Sequence, residues 1–116
     1  MIGERDLRRK GEDNMAAVLK HLVLFKFKDE AARRDIERVI DSFLELKNKI
    51  PVIQALEWGT NVSPENKHQG FTHCFCLTFP DARSRDAYLP HPAHREFGEI
   101  LKPVVEKVMV FDYFAN

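Results

Sequence analysis

Hydrophobic residues recur along this chain at two different periods, and the order in which the periods alternate restricts the folds open to it. Residues 20–28, KHLVLFKFK, alternate at period two, so that His21, Val23, Phe25 and Phe27 share one face of an expected strand and Leu22 and Leu24 the other. From Glu30 the spacing turns helical, through Ile36, Val39, Ile40, Phe43, Leu44 and Leu46, until Pro51 forbids continuation. Residues 53–60 read as a second strand with Leu56 and Trp58 on one face, and NVSPENKHQG after it has loop composition. Residues 71–79, FTHCFCLTF, alternate most cleanly, with Phe71, His73, Phe75, Leu77 and Phe79 opposite Thr72, Cys74, Cys76 and Thr78. Asp81 suits the N-cap of a short helix reaching Leu89. Pro90 and Pro92 break that helix around His91, and a second piece runs over 93–101. Residues 104–114 form the last strand, with Val108 and Val110 on one face and Met109 and Phe111 on the other.

The resulting order is β-α-β-β-α-β, an α+β domain of ferredoxin-like type with a four-stranded antiparallel sheet and both helices on one face. The opposite face would present Leu22, Leu24, Cys74, Cys76, Met109 and Phe111. A solvated face alternates to polar residues, and this one does not. The economical cover is a second copy packed sheet to sheet, a homodimer. Upstream, MIGERDLRRKGEDN holds four basic and four acidic residues and little that is apolar. Residues 1–14 read as a flexible tail, or as sequence upstream of a start at Met15, with the domain over 15–116.

Charge and composition narrow the function classes. Eighteen basic residues balance eighteen acidic ones, which argues against nucleic acid as a partner. No apolar run approaches the ~18 residues of a membrane span. The two cysteines, two residues apart on one strand face, are poorly placed to bridge each other, so a reducing, cytoplasmic setting is the simplest expectation. His91-x-x-His94, with or without His73, lacks the third and fourth ligands of a zinc site, and the cysteines lie on the face opposite His73. No glycine pattern cradles a phosphate and no Gly-x-Ser-x-Gly elbow occurs. Neither metal nor cofactor is expected.

Among five histidines, His68 reads as a surface residue of the loop, while His21 and His73 stand among Phe and Val. Each of those two is either a core histidine bonded to a neighbour or a polar group in a pocket. The segment Tyr88-Leu-Pro-His-Pro-Ala-His94 fixes irregular backbone beside a phenol and imidazoles. Tyr88 can donate to a carbonyl oxygen and a neutral His94 can accept a proton, the pair needed to form an enolate next to a carbonyl. Spacing alone equally allows prolines that merely shape a helix break.

KHLVLFKFKDE, EWG at 57–59, HQGFTH at 68–73, TF at 78–79, YLPHPAH at 88–94 and the closing VFDYF, taken in order, resemble the stress-responsive A/B barrel domain family over about residues 19–114. The resemblance implies a dimeric α/β barrel and a stress- or defence-associated protein with no settled catalysis. The alternative it implies is a cofactor-free polyketide cyclase that closes a poly-β-keto thioester by intramolecular aldol condensation, the carboxyl being retained. In that alternative His94 is the base and Tyr88 the donor, with His21 and His73 as supporting groups and His91 as a further substrate-binding candidate. Ile40 and Phe43 stand where such a cyclase has Phe and Tyr lining its alkyl pocket, while Phe25, Phe75, Phe97, Val108 and Val110 remain to line an apolar cavity. A third expectation is a binding module for a small hydrophobic or polyketide-like ligand, without turnover.

Overall fold

The computed structural model describes residues 17–115, so the tail proposed for 1–14 and the domain start at 15 lie outside the described residues. The chain runs β1 (Val18–Phe27), α1 (Arg33–Lys49), β2 (Ala55–Thr60), β3 (His73–Phe79), α2 (Ala82–Tyr88), α3 (Pro92–Leu101) and β4 (Val105–Ala115). Four antiparallel strands order as β2-β3-β1-β4, the ferredoxin-like arrangement the periodicity predicts. Phe71 and Thr72 fall outside β3, which begins at His73.

β1 is central, and its residues alternate between buried and half-buried along its whole length. Leu19, Val23, Phe25 and Phe27 meet Val39, Phe43 and Leu46 of α1 in one core. Phe43 stacks on Phe75 at a centroid distance of 4.3 Å and packs against Phe97 at 4.6 Å. On the other face the register sets Leu22 between Cys76 and Phe111, and Leu24 between Cys74 and Met109. Among the described residues no helix covers that row. β4 is an edge strand whose two faces are both open: Met109 is 42% and Phe111 60% exposed outward, Val108 46% and Val110 53% exposed inward. Among the described residues no helix is long and apolar enough to cross a membrane.

The loop between β2 and β3 packs onto the sheet. Thr72 N–H donates to the Phe25 carbonyl at 3.0 Å, and Gly70, at φ 85°, lies where an added Cβ would come within 2.7 Å of the Lys26 stem. A hollow of about 590 Å³ opens under this loop, lined in part by Leu24, Cys74, Met109, Lys67 and His68. His68, expected at the surface, is half-buried, and its Nδ1 is enclosed with no partner among the described residues.

Removing the ring of Phe43 leaves Phe75 and Phe97 facing a void that the sheet cannot collapse into. Phe43→Ala should lower the unfolding free energy by about 3–5 kcal/mol in denaturant titration. A change below about 1 kcal/mol would mean the aromatic stack is not the centre of the core.

Candidate functional site

The break between α2 and α3 is a rearrangement of hydrogen bonds that the two prolines force. α2 starts at Asp81, whose Oδ1 accepts from Ser84 N–H at 2.8 Å, and ends by delivering Tyr88 into the core, where it is 1% exposed. In a continuous helix the Leu89 carbonyl would accept from Ala93 N–H. Here Ala93 N–H instead donates to His91 Nδ1 at 3.0 Å, with His91 as N-cap of α3 and Pro92 in its first turn. The released Leu89 carbonyl takes up His94 Nδ1 at 2.8 Å.

That bond decides the chemistry of His94. A carbonyl oxygen only accepts, so Nδ1 carries the hydrogen and Nε2 of the neutral ring keeps its lone pair. Burial pushes the His94 imidazole below its ordinary range and so favours the neutral, proton-accepting ring, with the bond to Leu89 partly opposing it. Tyr88 packs against it at a centroid distance of 4.4 Å, and burial pushes the phenol up, so the hydroxyl keeps its proton. His21 also packs against Tyr88, edge-on at 5.7 Å. It is both things the sequence allowed, a buried histidine bonded to a neighbour and a wall of the pocket: Nδ1 meets Asp112 Oδ1 at 2.6 Å.

These groups line one end of a cavity of about 600 Å³ between β1, β4 and the two short helices. Val23, Phe25, Phe43, Phe97, Leu101, Val108 and Val110 supply its apolar walls, while Arg85 and Asp112 add charge beside His21. Mostly apolar walls with a few convergent polar groups are the usual make-up of a small-molecule site. Among the described residues no group of three or more His, Cys, Asp or Glu is placed to hold a metal ion.

Several expected site residues stand elsewhere. His73 is paired with Phe25 on β1, four residues along β3 from the partner of His21, about 13 Å away at the usual rise. Its ring packs on Phe27 at 5.0 Å and stacks on Trp58 at 6.1 Å, and burial pushes its imidazole down. Phe75 is sandwiched between Phe43 and Trp58 in the core, Ile40 is half-buried against that core, and His91 serves the backbone as a cap. None of the four lines the cavity. The residues that sequence reading passed over are Asp112 and Arg85. A lone carboxylate inside the apolar run VMVFDYF was the available signal for Asp112. Nothing local marked Arg85, because its pairing with Asp112 spans 27 residues.

The fold and the cavity together define a small ferredoxin-like α+β domain with a tyrosine and two histidines at one end of an apolar pocket. The chain belongs to the stress-responsive A/B barrel domain family, whose model matches residues 19–115. It is 37% identical over 95 residues to olivetolic acid cyclase of Cannabis sativa, across 82% of this chain and 94% of the cyclase. It is 42% identical over 95 residues to a stress-response A/B barrel domain-containing protein of Arabidopsis thaliana, across 82% and 87% of the two. Among solved structures, hydroxynitrile lyase from Passiflora edulis matches with a TM-score of 0.79 at 28% identity, over 85% of this chain and 94% of the lyase. A dimeric protein of ferredoxin-like fold from Bacteroides fragilis matches at 0.68 and 30% identity, over 84% and 96%.

Because the folded chain resists protonating His94, the unfolded chain binds more protons as pH falls through the ordinary imidazole value of about 6.5, and stability drops there. His73 acts in the same direction. His94→Gln should make the slope of unfolding free energy against pH shallower between about pH 5 and 7. An unchanged slope would show that the buried ring is not held neutral.

Proposed function

We propose that this protein works as a homodimer of stress-responsive A/B barrel domains whose cavity at the α2–α3 break holds a small, largely apolar carbonyl compound, in a cytoplasmic stress or defence response. The observation that carries the reading is the polar pair of Tyr88 and His94 in a cavity whose remaining walls are mostly apolar, with His21, Arg85 and Asp112 as further polar groups. The Tyr88 hydroxyl suits a carbonyl oxygen as donor, and the rings and Val side chains suit a hydrocarbon portion. Support for the dimer comes from the uncovered apolar row on the sheet and from the dimeric Bacteroides relative. The free thiols of Cys74 and Cys76 fit a reducing compartment, and the Arabidopsis relative bears a stress-response name.

A second reading, cofactor-free cyclisation, is favoured by one specific observation, the His94 tautomer. His94 Nε2 would take a proton from the carbon between two carbonyls of a poly-β-keto thioester. The C–H electron pair moves into the enolate, whose oxygen accepts from Tyr88. The enolate carbon then bonds to a distant carbonyl carbon of the same chain, whose C=O π pair moves onto its oxygen and takes the proton back from His94. His21 and the walls formed by Phe25, Phe43, Phe97, Val108 and Val110 would hold the chain folded. Relatives named as a cyclase and a lyase are compatible with such chemistry.

Sedimentation should give a dimer, and Leu24→Asp a folded monomer; a monodisperse wild-type monomer would sink the sheet-to-sheet association. Calorimetry with a small aryl ketone should show Tyr88→Phe weakening binding by about 1 kcal/mol, about fivefold. Incubation with a poly-β-keto thioester made by a polyketide synthase separates the two readings. A cyclised acid that disappears with His94→Ala supports turnover, whereas identical products with and without protein would leave ligand binding alone.

A further inference from the structure

Behind His21 stands a chain of charged groups. Asp112, its register partner on β4, faces His21 Nδ1 with Oδ1 at 2.6 Å, and its Oδ2 accepts from Arg85 Nη1 at 2.8 Å. Arg85 is steadied in turn by Asp86, whose Oδ1 accepts from Nε at 2.9 Å. Arg85 and Asp112 are both mostly buried, with side chains 24% and 23% exposed, so the pair is sheltered enough to hold its geometry. An ionised carboxylate only accepts, so in the neutral His21 ring the hydrogen sits on Nδ1 and Nε2 keeps its lone pair.

His94 reaches the same tautomer by its bond to Leu89. Neither Nε2 nor the Tyr88 hydroxyl has a protein partner among the described residues, and all three side chains line one cavity. Tyr88 neighbours both imidazoles, at 5.7 Å from one and 4.4 Å from the other. The cavity thus offers one donor together with two acceptors. Its complement is a ligand with one acceptor and two donors.

The geometry points to Arg85 and Asp112 as positioning residues that hold His21 as the second acceptor, so that the pocket selects carbonyl compounds bearing two hydroxyl groups, such as dihydroxyaryl ketones, over carbonyls without donors. This rests on the reading that the cavity takes a carbonyl ligand. A ligand with no donors would leave both acceptors unmatched, one on the buried His21 ring and one on the half-buried His94 ring, and unpaired polar groups in a pocket discriminate between ligands. Arg85 is decisive because it fixes which atom of residue 112 faces the ring. In Asp112→Asn the Arg85 guanidinium keeps the amide oxygen, so the amide NH2 turns to His21 Nδ1. Nδ1 becomes an acceptor, the hydrogen moves to Nε2, and the pocket loses an acceptor with almost no change of shape.

The test uses the full chain at about pH 8.5, two units above the ordinary imidazole value. Calorimetry compares a dihydroxyphenyl methyl ketone with its dimethyl ether, and nitrogen NMR reads the His21 tautomer with no ligand present. Wild type should prefer the dihydroxy ketone by about tenfold or more, and Asp112→Asn should erase most of that preference. Arg85→Met added to Asp112→Asn frees the amide to turn back and should recover part of it. Equal binding of the two ketones by wild type would overturn the proposal while leaving the pocket reading intact. Binding of neither would remove the pocket reading itself. An Nε2-protonated His21 in ligand-free wild type would overturn the proposal whether or not any variant folds.

Discussion

A sheet whose alternating residues are apolar on both faces cannot be satisfied by helices on one side. β1 sets this condition, since His21, Val23 and Phe25 point to the helices while Leu22 and Leu24 point away. α1 covers the middle of the inner face and buries Phe25, Phe75 and Leu77 completely. The two short helices after β3 cover less, and beside β4 they leave Val108 and Val110 about half exposed. The space left between them and the inner face is the cavity. The row left on the outer face is the surface proposed for association. Both features follow from one mismatch between sheet area and helix cover.

Hydrogen-bond accounting at the broken helix then gives the cavity its chemistry. Two backbone groups freed at the break are matched by imidazole nitrogens, Ala93 N–H by His91 and the Leu89 carbonyl by His94, while the Tyr88 carbonyl accepts from His91 N–H. Two histidines three residues apart are therefore held in opposite tautomers, one accepting through Nδ1 and one donating through it. Irregular backbone here substitutes for the carboxylate that more often orients a histidine. His21, with Asp112 behind it, uses that commoner device.

Much of the architecture was readable because it depends on period. Strand order, the residues on each sheet face and the position of the helix break all follow from alternation, helical spacing and two prolines. Tyr88 and His94 were also within reach, because a rigid break next to them is a local feature. What escaped was non-local. Asp112 and Arg85 become partners only when β4 pairs with β1 and α2 folds back over the sheet. His73 looks equivalent to His21 along the sequence, yet the register sets it toward the Trp58 end of the sheet. His68 sits in a stretch of loop composition but is enclosed by the packing of that loop on the sheet.

β4 serves two regions of the molecule at once. Val108, Val110 and Asp112 border the cavity, while Met109, Phe111 and Tyr113 alternate with them on the outer row. Period-two geometry keeps these sets from sharing side-chain space, so mutation at one set need not disturb the other. A lineage carrying this strand has separate dials for what enters the cavity and for what lies against the sheet. Insertion of one residue is the exception. It would exchange the two sets along the whole strand, and the register break between Lys26 and Phe27, just before β1 ends, marks where such a slip is already absorbed without reaching Asp112.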